Sequence, residues 1–307
     1  MSEQFLTEKL LQVEAVCVLY PRFADLMEQM ETCRKESALA NEAMSMLIYG
    51  QSGAGKTTLI NQYLKNFPRK TTSDGSIVPV FFASLPSKVT IKGCAKTLLK
   101  ALGAPNASHG DEIDMTSRLV TLIKNCGVEL IILDEFQHLL QRASAKGAQQ
   151  ASDWLKELMN KTKVPLVLVG MPECTKLLEA HEQLDRRFIV VEELASFNYV
   201  RDASEYRKFL KAVQQALPFP QQDGALHLYD PLCAKRIYVA SRGSPGRTMR
   251  LIREAAKMAV KKDLAILAET HLATTYTKYI ARLSKLPKSP WELSENELDK
   301  LVIKVAG

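Results

Sequence analysis

Apolar side chains follow two different spacings along this chain, and the change between them marks its organisation. In the first forty residues they recur every third or fourth position, as at Phe23, Leu26, Met27 and Met30, which predicts helices. From residue 44 onward, short apolar runs of strand length appear instead, at 44–49, 77–83, 128–133, 166–169 and 188–191. These runs do not alternate apolar and polar positions, which is typical of strands covered on both faces.

Amphipathic stretches separate the runs and predict helices at 56–66, 90–102, 114–125, 150–161 and 173–181. Strands that alternate with helices favour a parallel sheet in an α/β domain. After Phe197 only helical patterns follow, at 201–216, 231–241, 247–261 and 269–283. We therefore expect four parts, namely an N-terminal helical segment (1–40), an α/β core with a five-stranded parallel sheet (41–197), an all-helical domain (198–284) and a C-terminal tail (285–307).

Composition narrows the class of protein. The 307 residues are 46% apolar and 24% charged, an ordinary balance that excludes wholesale disorder. No apolar run approaches the roughly 18 residues of a membrane helix. Glu3, Glu8 and Glu14 stand where a secretory signal peptide has basic and then uncharged residues. We therefore expect a cytoplasmic protein with no membrane partner and with its six cysteines reduced.

The excess positive charge is confined to the C-terminal third of the chain. Residues 1–200 hold 22 Lys and Arg against 23 Asp and Glu, whereas residues 201–307 hold 19 against 11. The net charge of +7 is thus the sum of −1 and +8. A basic region attached to a neutral one favours an anionic partner, nucleic acid above all, with an acidic protein surface as the alternative.

Residues 50–57 match the phosphate-binding pattern G-x-x-x-x-G-K-[ST], with a predicted strand before it and a predicted helix after it. Small residues let backbone N–H groups turn toward phosphate oxygens, and the helix N-terminus adds positive potential. We expect the lysine to reach the β- and γ-phosphates of ATP and the threonine hydroxyl that follows it to bind Mg²⁺. The predicted nucleotide-binding residues are Gly50, Ser52, Gly53, Ala54, Gly55, Lys56, Thr57 and Thr58.

A second apolar run ends in two adjacent carboxylates, Asp134 and Glu135, 78 positions after Lys56. We expect Asp134 to hold Mg²⁺ together with Thr57, directly or through a water. Glu135 is the candidate catalytic base that orients and activates the attacking water. An adjacent Asp-Glu pair at a strand end separates ATP hydrolases of this kind from P-loop kinases and GTPases. The sequence therefore predicts an ATPase.

Two adjacent arginines, Arg186 and Arg187, stand at the corner before the last predicted strand. An arginine supplied by a neighbouring subunit can stabilise the charge on the γ-phosphoryl oxygens, by about 10³–10⁵ in rate in GTPases. We favour Arg187 for this catalytic role, with Arg186 close behind. The alternative is a solvated pair of surface charges.

These motifs together resemble the AAA+ ATPases, with Walker A at 50–57, Walker B at 130–135 and an Arg-Arg-Phe corner at 186–188. The segment Leu133-Asp-Glu-Phe-Gln-His-Leu139 further resembles the TniB/TnsC family of transposition regulators. Tyr20-Pro21-Arg22-Phe23, the run 164–173 and Arg250-Leu-Ile-Arg-Glu-Ala-Ala256 point to the same family. The resemblance covers roughly residues 15–283.

The resemblance implies that ATP binds between adjacent subunits and that the ATP-bound form assembles into rings or helical filaments around double-stranded DNA. Such proteins link a target-selection protein, in some elements a CRISPR effector, to a transposase. ATP hydrolysis then disassembles the filament. An AAA+ protein usually has a polar sensor after its fourth strand, but Val169-Gly170-Met171 offers no side-chain donor there, which predicts slow hydrolysis. Arg247 is the candidate lid arginine that touches the γ-phosphate, with Arg250 as the second choice.

Two loops are candidates for contact with the DNA backbone if subunits spiral around a duplex. The first holds Lys88, Thr90 and Lys92, and the second holds Arg142 and Lys146. A solvated loop is the alternative for each. At the level of function, the alternatives are an AAA+ ATPase that loads helicases or clamps, a secretion ATPase of the ExeA kind, and a nucleotide-binding scaffold with negligible turnover.

Overall fold

The structure, a computed structural model, describes residues 3–39, 43–73, 75–140, 145–220, 226–284, 286 and 288–306. The chain divides into two compact units, Pro21–Leu194 and Met1–Tyr20 with Ala195–Gly307. The N-terminal segment predicted at 1–40 therefore contributes one helix to each unit. The finer four-part division stays a prediction.

A five-stranded parallel sheet forms the centre of the unit Pro21–Leu194, in the order β4-β5-β6-β1-β7. The strands of the described chain are β1 (Ser45–Tyr49), β2 (Lys70–Thr72), β3 (Gly75–Ile77), β4 (Val80–Ser84), β5 (Leu130–Asp134), β6 (Leu166–Gly170) and β7 (Phe188–Glu193). Every residue of β5 and β6 is buried, which explains their unbroken apolar runs. The edge strand β7 alternates instead, with Ile189 and Val191 exposed. The five strands predicted from the apolar runs are confirmed.

Helices cover the sheet and join its strands. The first nine in chain order are α1 (Glu3–Ala15), α2 (Pro21–Ser37), α3 (Lys56–Leu64), α4 (Ile91–Leu102), α5 (Glu112–Asn125), α6 (Gln137–Leu140), α7 (Ala145–Thr162), α8 (Thr175–Ala180) and α9 (Glu182–Asp185). A 3₁₀ turn, Pro172–Cys174, precedes α8. The core packs α4, α5 and α7 against the strands. Trp154 of α7 is buried there, and its indole N–H donates to the Thr116 hydroxyl over 3.1 Å, so this side chain belongs to the core.

The helices of the second unit follow the predicted pattern. They are α10 (Tyr199–Ala216), α11 (Pro231–Ser241), α12 (Pro245–Lys261), α13 (Glu269–Thr275), α14 (Ala281–Ser284) and α15 (Glu295–Ala306), with a π-helical turn at Tyr276–Ile280. Helix α1 packs on α12, where Lys257 forms an ion pair with Glu14. Tyr206 is fully buried, and its hydroxyl lies 3.0 Å from that of Thr248.

The C-terminal helix α15 packs against α10 and α11. Lys235 of α11 forms ion pairs with Glu295 at 3.2 Å and with Asp299 at 2.7 Å. The ring of Trp291 lies 5.8 Å from that of Tyr276. Helix α15 lies in the segment predicted as the C-terminal tail (285–307). It is packed within its unit, because these ion pairs and its buried Leu298 and Val302 attach it.

Three short elements do not follow from the apolar pattern. The hairpin β2–β3 is almost wholly exposed, so it has no apolar run that would reveal it. Helices α6 and α9 are four residues long, which is too short for a periodic signal. Within the described ranges, no helix combines the length and the apolar character needed to cross a bilayer.

Candidate nucleotide site

The loop between β1 and α3 has the backbone geometry of a phosphate cradle. Gly55 immediately precedes α3 and has a φ of 105°, and Gly53 has a φ of 85°. Side-chain-bearing residues rarely adopt these values, so this loop conformation favours glycine at both positions, although the pattern fixes only the glycine at 55. Helix α3 then begins at Lys56 with its free N–H groups facing the loop. Phe23 packs beneath, 3.3 Å from where a Cβ on Gly55 would lie.

The Lys56 side chain is 9% exposed and folds back over the loop. Its ammonium group donates to the carbonyl oxygens of Gly50 at 2.6 Å and of Gln51 at 3.2 Å. Burial lowers the pKa of Lys56, while the carboxylates of Asp134 and Glu135 act in the opposite direction. The ammonium group therefore lies within the electrostatic influence of both carboxylates.

Asp134 ends β5 and lies next to the N-terminus of α3. Its carboxylate accepts the Thr57 hydroxyl at 3.4 Å and the backbone N–H of Glu135 at 2.8 Å. It is 3% exposed, and burial raises its pKa above the ordinary value. One carboxylate and one hydroxyl suit Mg²⁺, which keeps several waters and is otherwise bound by phosphate oxygens. Among the described residues, no three or more His, Cys, Asp or Glu side chains are arranged to hold a metal ion by themselves.

Glu135 follows Asp134 in a left-handed backbone conformation, with a φ of 58°. Its carboxylate accepts a hydrogen bond of 2.5 Å from the side-chain amide of Gln137. The Nε2 atom of His138 lies 3.9 Å from the same carboxylate, and the Nδ1 atom of His138 lies 3.1 Å from the Leu85 carbonyl. The sequence prediction assigned a role to Glu135 but none to Gln137, whose position two residues later in the same motif was the available signal.

Arg186 and Arg187 lie at the other edge of the sheet. They follow α9 and precede the first residue of β7, whereas the phosphate loop follows the last residue of β1, which runs parallel to β7. Arg186 pairs with Glu182 at 2.5 Å, and Arg187 donates to the Asn160 side chain at 2.7 Å. Both arginines line a surface hollow of about 650 Å³. They are therefore separated by the strand length from the phosphate loop of their own chain.

The candidate DNA residues are exposed in the described chain. Lys88 has a φ of 61°, and Thr90 caps α4 by accepting the Gly93 N–H at 3.1 Å. Lys88 and Thr90 share a cavity of about 410 Å³ with Gly147 and Gln150 at the start of α7. Lys92 and Lys146 are also exposed, whereas Arg142 lies outside the described residues. Part of the first predicted loop thus adjoins the start of α7, to which Lys146 belongs, and contact of these residues with DNA stays a prediction.

The candidate lid arginine, Arg247, belongs to the other unit. It lies in the first turn of α12, whose N-cap is Ser244 and whose first residue is Pro245. Arg250 lies one turn further on and is exposed. The role of either side chain at a nucleotide stays a prediction.

Solved structures with the same fold define the class of protein. The chain superimposes on the Orc1 protein of Aeropyrum pernix in complex with DNA with a TM-score of 0.62, at 18% identity, over 88% of this chain and 69% of that one. It superimposes on Cdc6p of Pyrobaculum aerophilum with a TM-score of 0.61, at 10% identity, over 93% of this chain and 80% of that one. The five-stranded parallel sheet with its phosphate loop and its C-terminal helical region is the AAA+ P-loop fold.

A family comparison gives the finer assignment. The family model described as Bacterial TniB protein matches residues 11–197, which is more than half of the chain. The chain therefore belongs to the TniB family. A search of curated proteins finds no significant match.

Proposed function

We propose that this protein is an ATP-dependent regulator of transposition that assembles on double-stranded DNA, links a target-selection protein to a transposase, and disassembles when it hydrolyses ATP. The observation that carries the proposal is the convergence of Lys56, Asp134 and Glu135 at one edge of the sheet in a chain of the TniB family. These are the groups that phosphate binding, Mg²⁺ binding and activation of water require.

Each group at this edge has one task in the proposed reaction. The N–H groups at the start of α3 and the Lys56 ammonium bind the β- and γ-phosphates. Thr57 and Asp134 would hold Mg²⁺, which neutralises the developing charge on the phosphate oxygens. Glu135 accepts a proton from the attacking water, whose oxygen bonds to the γ-phosphorus as the bond to the leaving ADP oxygen breaks. The products are ADP and inorganic phosphate.

A second copy supplies one part of the proposed reaction. If Arg187 or Arg186 stabilises the γ-phosphoryl charge, it acts from a neighbouring copy, because both lie at the opposite edge of the sheet from the phosphate loop of their own chain. Bound ATP then holds two copies together, and its hydrolysis removes the group that both contact. This dependence of self-association on nucleotide is the switch that we propose.

Duplex DNA is the proposed scaffold for assembly. The charge of +8 on residues 201–307 and the exposed Lys88, Lys92 and Lys146 favour contact with phosphates and not with base edges. The Orc1 protein of Aeropyrum pernix, which has the same fold, was solved in complex with DNA. Backbone contacts of this kind predict binding that is independent of sequence and weakens steeply with salt.

Sedimentation with a duplex oligonucleotide tests the proposal. We expect large assemblies with ATP or a non-hydrolysable analogue, and only small species with ADP or in Lys56→Ala. A protein that stays monomeric with analogue and duplex DNA in excess would refute the switch. Assembly that needs a helicase, a clamp or a membrane protein in place of DNA would favour the alternative AAA+ functions. For the transposition role, insertion of the element by its own transposase should be lost in Lys56→Ala.

A further inference from the structure

The end of β6 lacks the polar side chain that the AAA+ pattern leads one to expect, yet a polar group occupies the space beside it. Gln137, from α6, is 5% exposed and reaches across to this strand end. Its side-chain oxygen accepts the backbone N–H of Met171, the residue after β6, over 3.1 Å. Its side-chain nitrogen donates to the Glu135 carboxylate over 2.5 Å. One amide group thus joins the candidate base to the end of a neighbouring strand.

The strand end is shaped to admit this side chain. A Cβ on Gly170 would lie 2.7 Å from the Gln137 side-chain oxygen and 2.5 Å from the Cys174 sulfur. Any larger residue at position 170 would therefore displace Gln137 or the 3₁₀ turn that carries Cys174. The glycine that removes the expected sensor is the same feature that makes room for the glutamine.

The backbone of Glu135 also needs support. Its left-handed conformation costs roughly 1–2 kcal/mol in a residue with a side chain and persists only where its surroundings fix it. The Phe136 N–H donates to the Val169 carbonyl at 3.0 Å, and the Glu135 carbonyl accepts the His138 N–H at 2.9 Å. These bonds fix the main chain, but among the described hydrogen bonds only that from Gln137 reaches the carboxylate itself.

We propose that Gln137 is the positioning residue for Glu135, and that its amide fixes the carboxylate relative to the end of β6 in place of the missing sensor side chain. The inference rests on the proposed ATP hydrolysis. A neutral amide is required because one end has to donate to a carboxylate while the other accepts a backbone N–H. Gln137 itself is 5% exposed, so water has little access to its amide, whereas the Glu135 side chain that it holds is 41% exposed.

Two substitutions separate positioning from a purely structural role. Gln137→Met keeps the volume and removes both hydrogen bonds. Gln137→Glu keeps the acceptor for Met171 but removes the donor and adds a second carboxylate facing Glu135. For both variants we expect kcat for phosphate release to fall by about 10- to 100-fold, because a misplaced base loses its alignment with water. The dissociation constant for a fluorescent ATP analogue should stay within about threefold of wild type, since neither bond touches the phosphates. Gln149→Met, at an exposed position of α7, is the matched control and should behave as wild type.

The ATP hydrolysis rates of these variants distinguish a positioning role of Gln137 from a purely structural one. If Gln137 only braces the Met171 loop, Gln137→Glu retains its acceptor and should turn over like wild type, which would overturn the inference. If Gln137 acts through Glu135, Gln137→Met should change the residual rate by less than about twofold when added to Glu135→Gln. A Gln137→Met protein that hydrolyses ATP as fast as an active wild type refutes this inference alone. A wild type no faster than Lys56→Ala refutes the proposed function and this role with it.

Discussion

The candidate catalytic residues at the two edges of the central sheet differ in their exposure to solvent. At the carboxyl edge, the strand ends and the start of α3 bring buried groups together, with Lys56 and Asp134 both below one-tenth exposure. Unusual main-chain conformations help to position these groups, since Gly55 and Glu135 both have positive φ values. At the amino edge, Arg186 is 76% exposed and pairs with a glutamate one helical turn away. Exposed pairs of this kind contribute little to stability.

The distance between the two edges decides which candidate residues can act together within one chain. Strand β1 has five residues, and at about 3.3 Å per residue it separates the two edges by about 16 Å. An arginine side chain does not span that distance. The carboxyl edge therefore has the geometry expected of a phosphate cradle, whereas the arginines of the amino edge lie too far away to reach the same edge of their own chain. Four predictions test this contrast, beginning with the largest expected effect.

Arg187→Ala should lower kcat for ATP hydrolysis by about 10³-fold on DNA, because it removes the charge that stabilises the γ-phosphoryl oxygens. Affinity of the isolated chain for ATP should not change, since Arg187 is far from its own phosphate loop. Phosphate release at saturating ATP and duplex DNA measures kcat, and equilibrium binding measures the affinity for ATP. Arg186→Ala is the control. A larger loss of kcat in Arg186→Ala than in Arg187→Ala would assign the stabilising role to Arg186. If neither variant lost activity, neither arginine would have this role.

Glu135→Gln should lower the same rate by about 10²-fold or more, because the amide cannot accept the proton from water. Nucleotide binding should persist, so the variant should remain on DNA with ATP longer than wild type does. Dissociation from a labelled duplex after dilution measures this lifetime. Glu179→Gln, at an exposed position of α8, should match wild type in both measurements. If Glu135→Gln and wild type had equal lifetimes on DNA, ATP hydrolysis would not be what releases the protein from DNA.

Gly50→Ala should destabilise the carboxyl edge by about 2 kcal/mol, because the added Cβ meets a main-chain atom and the backbone has to shift. That Cβ would lie 2.4 Å from the Leu194 carbonyl oxygen. Urea unfolding measures the loss. Gly127→Ala provides the comparison, since Gly127 has a φ of 60° and open space around it, so strain alone should cost about 1 kcal/mol. A smaller loss at position 50 than at 127 would argue against the close approach.

Glu31→Gln should have the smallest effect, about 1 kcal/mol, and only above acid pH. Glu31 of α2 is held by Arg34, which also pairs with Glu129 just before β5, and by the Tyr63 hydroxyl at 2.9 Å. The Arg34 hydrogen bond chiefly lowers the pKa of Glu31 from 4.5 to about 2.

The pH dependence of this effect has a definite sign. A carboxylate whose pKa is lower in the folded state stabilises the protein above its unfolded pKa, and the contribution is lost as pH falls from 4.5 toward 2. The difference in unfolding free energy between wild type and Glu31→Gln should therefore shrink over that window. Glu28→Gln, at an exposed position of the same helix, should show no such trend. A difference that is constant with pH would mean that Glu31 acts through packing.

The sequence predicts those parts of the molecule whose structure is determined by residues close together in the chain. The five strands and the long helices follow from apolar spacing, because a buried strand such as β6 has to be apolar throughout. The phosphate loop follows from a pattern in which each residue type has a local geometric reason, as Gly55 does. The exposed hairpin β2–β3 has no such signal, since its six residues pack little against the core.

The candidate site shows the same limit. Asp134 and Glu135 are evident because they end an apolar run. Gln137 is not, because its proposed role depends on a contact with Met171, 34 positions later in the chain, and on the absence of a side chain at Gly170. Single-sequence patterns do not report contacts between distant positions. The role proposed for Arg187 is still harder to derive from one sequence, since it would involve a second molecule.

Mixing two inactive variants tests directly whether one copy completes the site of the next. Arg187→Ala keeps an intact carboxyl edge, and Glu135→Gln keeps an intact arginine corner. If the site is shared head to tail, an equal mixture on duplex DNA should recover about one quarter of wild-type ATP hydrolysis, because one junction in four pairs two intact edges. A mixture no more active than the average of the two variants alone would contradict the account.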